Sequence, residues 1–237
     1  ECKNKGGDRG PFKGAVRTME KNTGEKAVQA DVELKVIPLG GLGEIGLNMT
    51  VIEYGDTIIV VDCGLMFPED YMLGIDIVIP DITYLKKNAD RVKAYMITHG
   101  HEDHTGALPF VLSEVPAPVY ATALTRGLIE EKLAEFDLLR RVEIKTVKPR
   151  DVVSVGPFDV EFIRVSHSIV DGCALAITTP RGVVIHTGDF KLDQTPVDNE
   201  VLDYARVSEY GEIRVLALLS DSTNVEKEGY SLSERVI

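Results

Sequence analysis

The first candidate for chemistry in this chain is a cluster of histidines. Three of the five His in the whole sequence fall, together with an aspartate, inside the run Thr98-His99-Gly100-His101-Glu102-Asp103-His104. Crowded imidazoles repel one another when protonated and are costly to bury without partners. A divalent cation removes both costs, because neutral imidazole nitrogens and ionised carboxylate oxygens are ligands that zinc-like ions bind. The run therefore predicts a metal centre.

The spacing within the cluster predicts two ions rather than one. His99 and His101 follow an apolar stretch that reads as a buried strand, and being two residues apart they point the same way if the segment is extended. Asp103 and His104 come later, where a helix predicted over residues 105–113 begins. Ligands divided in this way suit two ions a few ångströms apart, as in two-metal hydrolytic sites. The alternative is a chance cluster on a solvated loop.

Three further candidates each come directly after a predicted strand. His167 would complete a three-imidazole set with His99 and His101, although an isolated, hydrogen-bonded histidine is the alternative. Asp189 has two carboxylate oxygens and is suited to bridging two cations. Asp62 is expected either to hold a ligand imidazole or a metal-bound water by a hydrogen bond, or to be a simple turn residue.

Two other polar segments lie near these candidates in the sequence. A cluster after the predicted strand 214–219 could line a phosphate pocket through its hydroxyl and backbone N–H groups, or could simply cap a turn. His186, three residues before Asp189, is expected to be structural or to support a ligand. The residues of the polar cluster are Ser220, Asp221, Ser222, Thr223 and Asn224.

A glycine-rich segment, residues 41–46, matches the G-x-G-x-x-G pattern of dinucleotide-binding sites and follows a predicted strand. That fingerprint requires a helix next, whose N-terminus holds the pyrophosphate. Residues 48–54 read as a strand instead. We therefore expect a tight glycine turn near the mouth of the site rather than a nucleotide-binding loop.

Composition places the chain among globular proteins. Its 237 residues allow one or two domains, and the net charge of −12 suits a cation site but is poor for gripping a polyanion. Residues 1–30 are polar and basic and are predicted to be a disordered leader. No stretch is apolar and long enough to span a bilayer. Three widely spaced cysteines argue against a disulfide framework and for a reducing compartment, the cytoplasm.

The order of the predicted elements indicates the fold class. A hairpin over residues 49–62 comes first, and strands and helices are then mixed without a strict βαβ alternation. This order predicts an α/β fold in which two sheets carry helices on their outer faces.

The series of motifs resembles the metallo-β-lactamase superfamily, in which an Asp, an H-x-H-x-D-H run, a lone His and a further Asp each follow a strand. Longer segments are similar to one branch, the ribonuclease J family, from about residue 34 onwards. These segments are residues 40–46, 62–68, 74–76, 79–81, 98–108, 166–168, 186–191 and 220–224. The resemblance implies an αββα metallo-β-lactamase sandwich with a dinuclear, usually zinc, site at one edge.

The resemblance also implies roles for the candidate residues. It assigns one ion to His99, His101 and His167, a second ion to Asp103 and His104, a bridging role to Asp189 and a supporting role to Asp62. Asp62, Asp103 and Asp189 are thereby the expected catalytic carboxylates. The implied cofactors are two divalent ions, with Zn²⁺ first and Mn²⁺ or Mg²⁺ as alternatives.

The implied activity is metal-dependent hydrolysis of RNA phosphodiesters, internally, from the 5′ end, or both. The alternatives are a thioester or lactone hydrolase of the same fold and an inactive metal-binding fragment. The family also implies an inserted β-CASP domain and a later His ligand. We therefore expect residues 31–230 to be the N-terminal portion of the metallo-β-lactamase domain, truncated where residues 231–237 begin the insertion. RNA is the expected partner, with a homo-oligomer for the full-length protein and no membrane.

Overall fold

The computed structural model describes residues 32–236, in which eleven strands form two β-sheets. The predicted leader, residues 1–30, lies outside the described residues. The first sheet contains, in spatial order, β1 (Leu34–Gly40), β2 (Met49–Tyr54), β3 (Thr57–Val61), β4 (Val92–Met96), β5 (Val119–Ala121) and β6 (Ile144–Thr146). The second contains, in spatial order, β11 (Val215–Leu219), β10 (Gly182–His186), β9 (Cys173–Thr179), β8 (Phe158–Arg164) and β7 (Val152–Val155).

Five α-helices accompany the sheets in the described part of the chain. They are α1 (Thr83–Lys87), α2 (Glu102–Thr105), α3 (Leu108–Glu114), α4 (Ala123–Glu135) and α5 (Tyr204–Gly211). Side chains of α1, α3 and α4 pack on one face of the first sheet, and Tyr210 of α5 packs on the second sheet. The predicted αββα sandwich is therefore confirmed.

The space between the sheets is filled by apolar side chains from alternate positions of facing strands. Ile52, Ile59 and Met96 come from the first sheet, and Phe162 and Leu175 come from the second. All five are fully buried. Each apolar side chain removed from water in this way contributes roughly 1.5–3 kcal/mol before conformational entropy is counted, so this layer holds the two sheets together.

The helix predicted over residues 105–113 is wrong in its bounds, because the structure has two short helices there. Helix α2 already begins at Glu102, so His104 is a helical residue. The break follows from the hydrogen bonds: the Ala107 N–H donates to the carbonyl of Cys63 at 2.9 Å rather than continuing the helical ladder. The chain then restarts as α3.

Helix α5 was absent from the sequence-based expectation. Its N-cap is Asp203, whose side chain accepts a hydrogen bond from the Arg206 N–H at 3.1 Å. Arg206 and Tyr210 both bond to the buried Glu161 of β8. The helix is therefore attached to the sheet by a polar cluster, which an apolar periodicity does not reveal.

Strand directions bring the candidate residues to one edge of the sandwich. Strands β3 and β4 are parallel, so Asp62 and His99, which follow them, lie at the same edge of the first sheet. In the second sheet β9 is antiparallel to both β8 and β10, so those two strands point the same way and end near His167 and Asp189. The N–H of Cys173 donates to the Thr98 carbonyl at 2.9 Å and joins the two sheets at this edge.

No helix within residues 32–236 is both long enough and apolar enough to cross a membrane.

A buried carboxylate on the outer face of the first sheet is bonded by three side chains away from that edge. Glu53 of β2 is 4% exposed and is bonded by Tyr84, by Arg91 at 2.9 Å and by Lys35 at 3.0 Å. Burial alone would raise the pKa of Glu53, but the hydrogen bonds from these three partners outweigh it and lower the pKa to about 2. Ionised Glu53 therefore stabilises the folded chain.

We expect Glu53→Gln to lower the free energy of unfolding near neutral pH by about 2 kcal/mol, because Tyr84, Arg91 and Lys35 lose a charged acceptor. Since the folded-state pKa is depressed, the contribution is present above the ordinary value of 4.5 and is lost as the pH falls towards 2. Urea unfolding of the wild type and of Glu53→Gln should show that the difference in their free energies of unfolding shrinks as the pH is lowered. Lys35→Gln, at a half-exposed partner, should cost less than about 1 kcal/mol, and a pH-independent difference for Glu53→Gln would contradict the assignment.

Candidate metal centre

Asp62 is the residue on which the edge of the first sheet is assembled. It is 1% exposed and follows β3 directly. Its Oδ1 accepts the backbone N–H of Thr98 at 2.8 Å, and its Oδ2 accepts the Thr98 hydroxyl at 2.9 Å. Thr98 in turn lies 3.0 Å, through Oγ1, from Nδ1 of His99. The carboxylate therefore positions the residue that precedes the histidine cluster.

The same carboxylate orients His104. Oδ2 of Asp62 lies 2.8 Å from Nδ1 of His104, and both side chains are buried. Burial by itself would lower the pKa of His104, but the charge of Asp62 and hydrogen bonds with Asp103 and Asp189 outweigh burial, and the pKa is raised. With its Nδ1 proton held by Asp62, His104 presents Nε2 to the centre.

The backbone of α2 is clamped onto the loop after β3. The N–H of Cys63 donates to the His104 carbonyl at 2.8 Å, and the N–H of Leu65 donates to the Glu102 carbonyl at 3.1 Å. Between them lies Gly64, where a Cβ would come within 1.5 Å of the Asp103 carbonyl oxygen. Only glycine allows this approach, and Gly64 therefore lets α2 lie directly against the chain that follows β3.

Three imidazoles form the first ligand group. Nε2 of His99 lies 3.0 Å from Nδ1 of His101, and Nε2 of His167 lies 3.2 Å from that same atom. Burial, followed by repulsion from the neighbouring imidazoles, lowers the pKa of His99 far below its ordinary value, so this ring is neutral. Three nitrogen donors thus face one small volume.

A second ligand group shares His99 with the first. It consists of His99, His104 and Asp189, whose ligand atoms all lie within 4.8 Å of one another. Oδ1 of Asp189 is 3.3 Å from Nε2 of His104, and Oδ2 is 3.7 Å from Nε2 of His167. The two oxygens of Asp189 therefore face one imidazole from each group.

Asp103 lies beside the second group. Its Oδ2 is 3.5 Å from Nε2 of His104 and accepts a hydrogen bond from Nδ2 of Asn48 at 3.2 Å. Burial would raise the pKa of Asp103, but the hydrogen bond and charge of His104 outweigh burial and lower the pKa, so the carboxylate is ionised at neutral pH. Within residues 32–236, neither of the two ligand groups includes Asp103.

The donor set fits divalent cations. Imidazole nitrogens about 3 Å apart satisfy one another only where the tautomer of one ring turns its N–H towards the lone pair of its neighbour. A cation between the rings would bind their lone pairs instead, and imidazoles with ionised carboxylates are the ligand types that zinc-like ions bind.

The remaining sequence candidates occupy different positions. Nδ1 of His186 accepts the Gly188 N–H at 3.1 Å, so His186 contacts the loop that carries Asp189. The N–H of Asp221 donates to Thr187 at 2.9 Å, and its carboxylate caps the Thr223 N–H at 2.7 Å. The charge of Asp221 acts on His167, whereas the side chains of its neighbours are exposed. Those neighbours are Ser220, Ser222, Thr223 and Asn224.

Sequence reasoning missed two residues of the centre, Thr98 and Asn48. Thr98 joins Asp62 to His99, and it could have been noticed because it separates the apolar strand from the first histidine. Asn48 lies 55 residues before Asp103, and no local pattern connects the two.

Comparison with known proteins agrees with this geometry. The sequence model of the family described as "Metallo-beta-lactamase superfamily" matches residues 42–222. A protein of Enterococcus faecalis whose crystal structure is titled as one of unknown function superposes with a TM-score of 0.63 at 19% identity, over 84% of this chain and 52% of that one. That likeness concerns the fold alone.

Curated relatives are more similar in sequence. The chain is 50% identical over 218 residues to "Ribonuclease J" of Synechocystis sp., covering 91% of this chain and 33% of that protein. It is 46% identical over 211 residues to "Ribonuclease J" of Thermus thermophilus, covering 86% of this chain and 37% of that protein. The chain thus spans about a third of the length of these relatives, and the expected resemblance to ribonuclease J is confirmed. From the family match, the sandwich and the ligand groups at its edge, we conclude that the chain belongs to the metallo-β-lactamase superfamily.

Proposed function

We propose that this chain carries the metal-binding catalytic part of a ribonuclease that hydrolyses RNA phosphodiesters internally, from the 5′ end, or both. The observation that carries the proposal is that the two oxygens of Asp189 face one imidazole from each of the two ligand groups. Such an arrangement suits two cations held side by side. The substrate class follows from the name of the relatives, ribonuclease J.

The proposed division of ligands keeps His99, His101 and His167 for one ion. Asp103 and His104 would hold the other, and Asp189 would contribute an oxygen to each. Paired divalent ions lower the pKa of coordinated water and neutralise charge on a phosphate in the transition state.

Side chains of the chain itself prepare the centre for this chemistry. Asp62 accepts the proton on Nδ1 of His104, so that Nε2 is the nitrogen that would bind an ion in exchange for its own proton. Asp103 and Asp189 both have lowered pKa values, because the hydrogen bond and charge of His104 outweigh their burial. Both carboxylates therefore remain ionised near neutral pH, and together with Asp62 they are the proposed catalytic carboxylates.

Water is the proposed nucleophile. The two described cysteines, Cys63 and Cys173, are free thiols and buried. Burial raises the pKa of Cys173 to about 12 and that of Cys63 well above its ordinary value, so neither supplies a thiolate. Free thiols also fit the proposed cytoplasmic location.

Charge makes RNA binding depend on the ions. The chain has a net charge of −12, and the candidate metal centre contains carboxylates as well as imidazoles. Without cations such a surface repels phosphate. We therefore propose that the ions attract the scissile phosphate and that residues 220–224 contact the substrate next to it, where the charge of Asp221 acts on His167.

Zinc is the proposed metal. Imidazole nitrogens dominate both ligand groups, and nitrogen with carboxylate oxygen is a common zinc set. Manganese accepts the same donors, and magnesium prefers oxygen. The homo-oligomer expected for a longer protein remains a prediction.

We expect Asp62→Ala to weaken binding of one ion by about 10- to 100-fold, because His104 loses the partner that fixes its tautomer and orientation. Competition of the chain with a chromophoric chelator for Zn²⁺ measures this. The exposed carboxylate Asp159 of β8 provides the control, since Asp159→Ala leaves the centre intact. Equal affinities for Asp62→Ala and wild type would contradict the supporting role of Asp62.

We expect the zinc-loaded chain to cleave 5′-monophosphorylated RNA and His101→Ala to abolish cleavage, because one ligand group loses an imidazole. Labelling the 5′ end and the interior separately distinguishes release of mononucleotides from internal cuts. Glu102→Gln is the matched control, since Glu102 lies next to His101 but bonds to Lys132. It should retain the activity.

Other substrates test the alternatives in the same assay. Turnover of a thioester or lactone without RNA cleavage would replace the ribonuclease proposal by a small-molecule hydrolase. Binding of two ions without any turnover would favour a metal-binding portion that is inactive by itself.

A further inference from the structure

One motif of the sequence, the glycine-rich segment over residues 40–46, has no part in the proposed chemistry. It connects β1 to β2 and is followed by no helix, so it does not hold a pyrophosphate in the manner of a dinucleotide-binding loop. It does lead directly to Asn48, which contacts the metal centre.

Asn48 is attached to the ligand helix by its backbone. Its N–H donates to the Asp103 carbonyl at 3.2 Å, and its own carbonyl accepts the Gly64 N–H at 2.9 Å. These bonds hold the start of β2 between the loop after β3 and α2. The position of the Asn48 side chain is therefore determined relative to the ligands on α2.

The carboxamide of Asn48 lies between two of those ligands. Its Nδ2 is 3.2 Å from Oδ2 of Asp103 and 3.1 Å from Nε2 of His104. A nitrogen whose lone pair binds a cation cannot accept a hydrogen bond. With His104 bound to an ion, the amide N–H retains Oδ2 of Asp103 as its partner, and the carboxylate has further lone pairs with which to bind the ion.

The glycines provide the room for this carboxamide. A Cβ on Gly41 would come within 2.6 Å of Oδ1 of Asn48, which is closer than carbon and oxygen can approach. Gly43 has a similar left-handed backbone, with φ of +71° against +80° for Gly41, but a Cβ there would meet nothing within 4 Å. The constraint at Gly41 therefore comes from the side chain of Asn48, in addition to the backbone.

We propose that Asn48 is a positioning residue for the second ion: its carboxamide holds Asp103 in place beside His104, and the glycine segment leaves space for that carboxamide. The inference rests on the proposed two-ion centre and adds a specific task to it. Asn48 acts through Asp103 and does not itself touch the substrate.

Titration of the metal-free chain with Co²⁺, followed by its visible absorption and by competition with a chelator, tests the proposal without measuring activity. In the wild type we expect two ions to bind. In Asn48→Ala the affinity for one ion should fall by about 10- to 100-fold, while that for the ion held by His99, His101 and His167 is unchanged. Asn48→Leu should show the same loss, because it fills the space without supplying a donor.

The two glycines provide a matched pair of variants. Gly41→Ala should reproduce the loss seen in Asn48→Ala, whereas Gly43→Ala, which strains the loop to a similar degree, should leave both affinities unchanged. Combining Gly41→Ala with Asn48→Ala should add no further loss, since both act through the same contact. Thermal unfolding of the metal-free variants identifies any that fail to fold.

Two results would overturn the proposal, and they are distinguishable. A wild type that binds two ions while Asn48→Ala keeps both affinities, or while Gly41→Ala and Gly43→Ala behave alike, would exclude the role of Asn48 and leave the proposed function intact. A wild type that binds fewer than two ions would overturn the proposed two-ion centre and this inference together.

Discussion

The carboxylate of Asp62 is the interaction on which the edge of this sandwich depends. It is a buried negative charge that accepts hydrogen bonds from Thr98 and faces Nδ1 of His104. Burying a carboxylate without such partners would cost folding free energy. The hydrogen bonds to Asp62 therefore hold the loop after β4 and the helix α2 to the end of β3. The candidate ligands of the first sheet are arranged relative to that assembly.

The two sheets contribute different halves of the centre. The first sheet and its helix α2 supply His99, His101, Asp103 and His104, and the second supplies His167 and Asp189. The apolar side chains packed between the sheets fix the distance between the two halves, because close-packed protein interiors have low compressibility. The ligand atoms can therefore approach within a few ångströms although they are far apart in sequence.

Much of the fold could be predicted from local patterns. The hairpin of β2 and β3 lies within one residue of its expected bounds, because apolar runs end there at turn residues. The division between α2 and α3 could not, since it depends on a hydrogen bond from Ala107 to the distant Cys63. Helix α5 was not predicted, because a polar cluster around Glu161, rather than an apolar stripe, attaches it to the sheet.

The candidate site shows the same contrast between local and distant contacts. The histidine run and the residues after strands were visible because their types and places are local properties of the sequence. Asn48 could not be predicted, because it reaches the site only through a contact with Asp103, 55 residues later.

X-ray diffraction from crystals of the zinc-loaded chain, recorded at the zinc absorption edge, tests the central claim most directly. The account predicts two anomalous peaks about 3.5–4 Å apart, with Asp189 between them and His99, His101 and His167 around one of them. A single peak, or peaks away from these side chains, would contradict it.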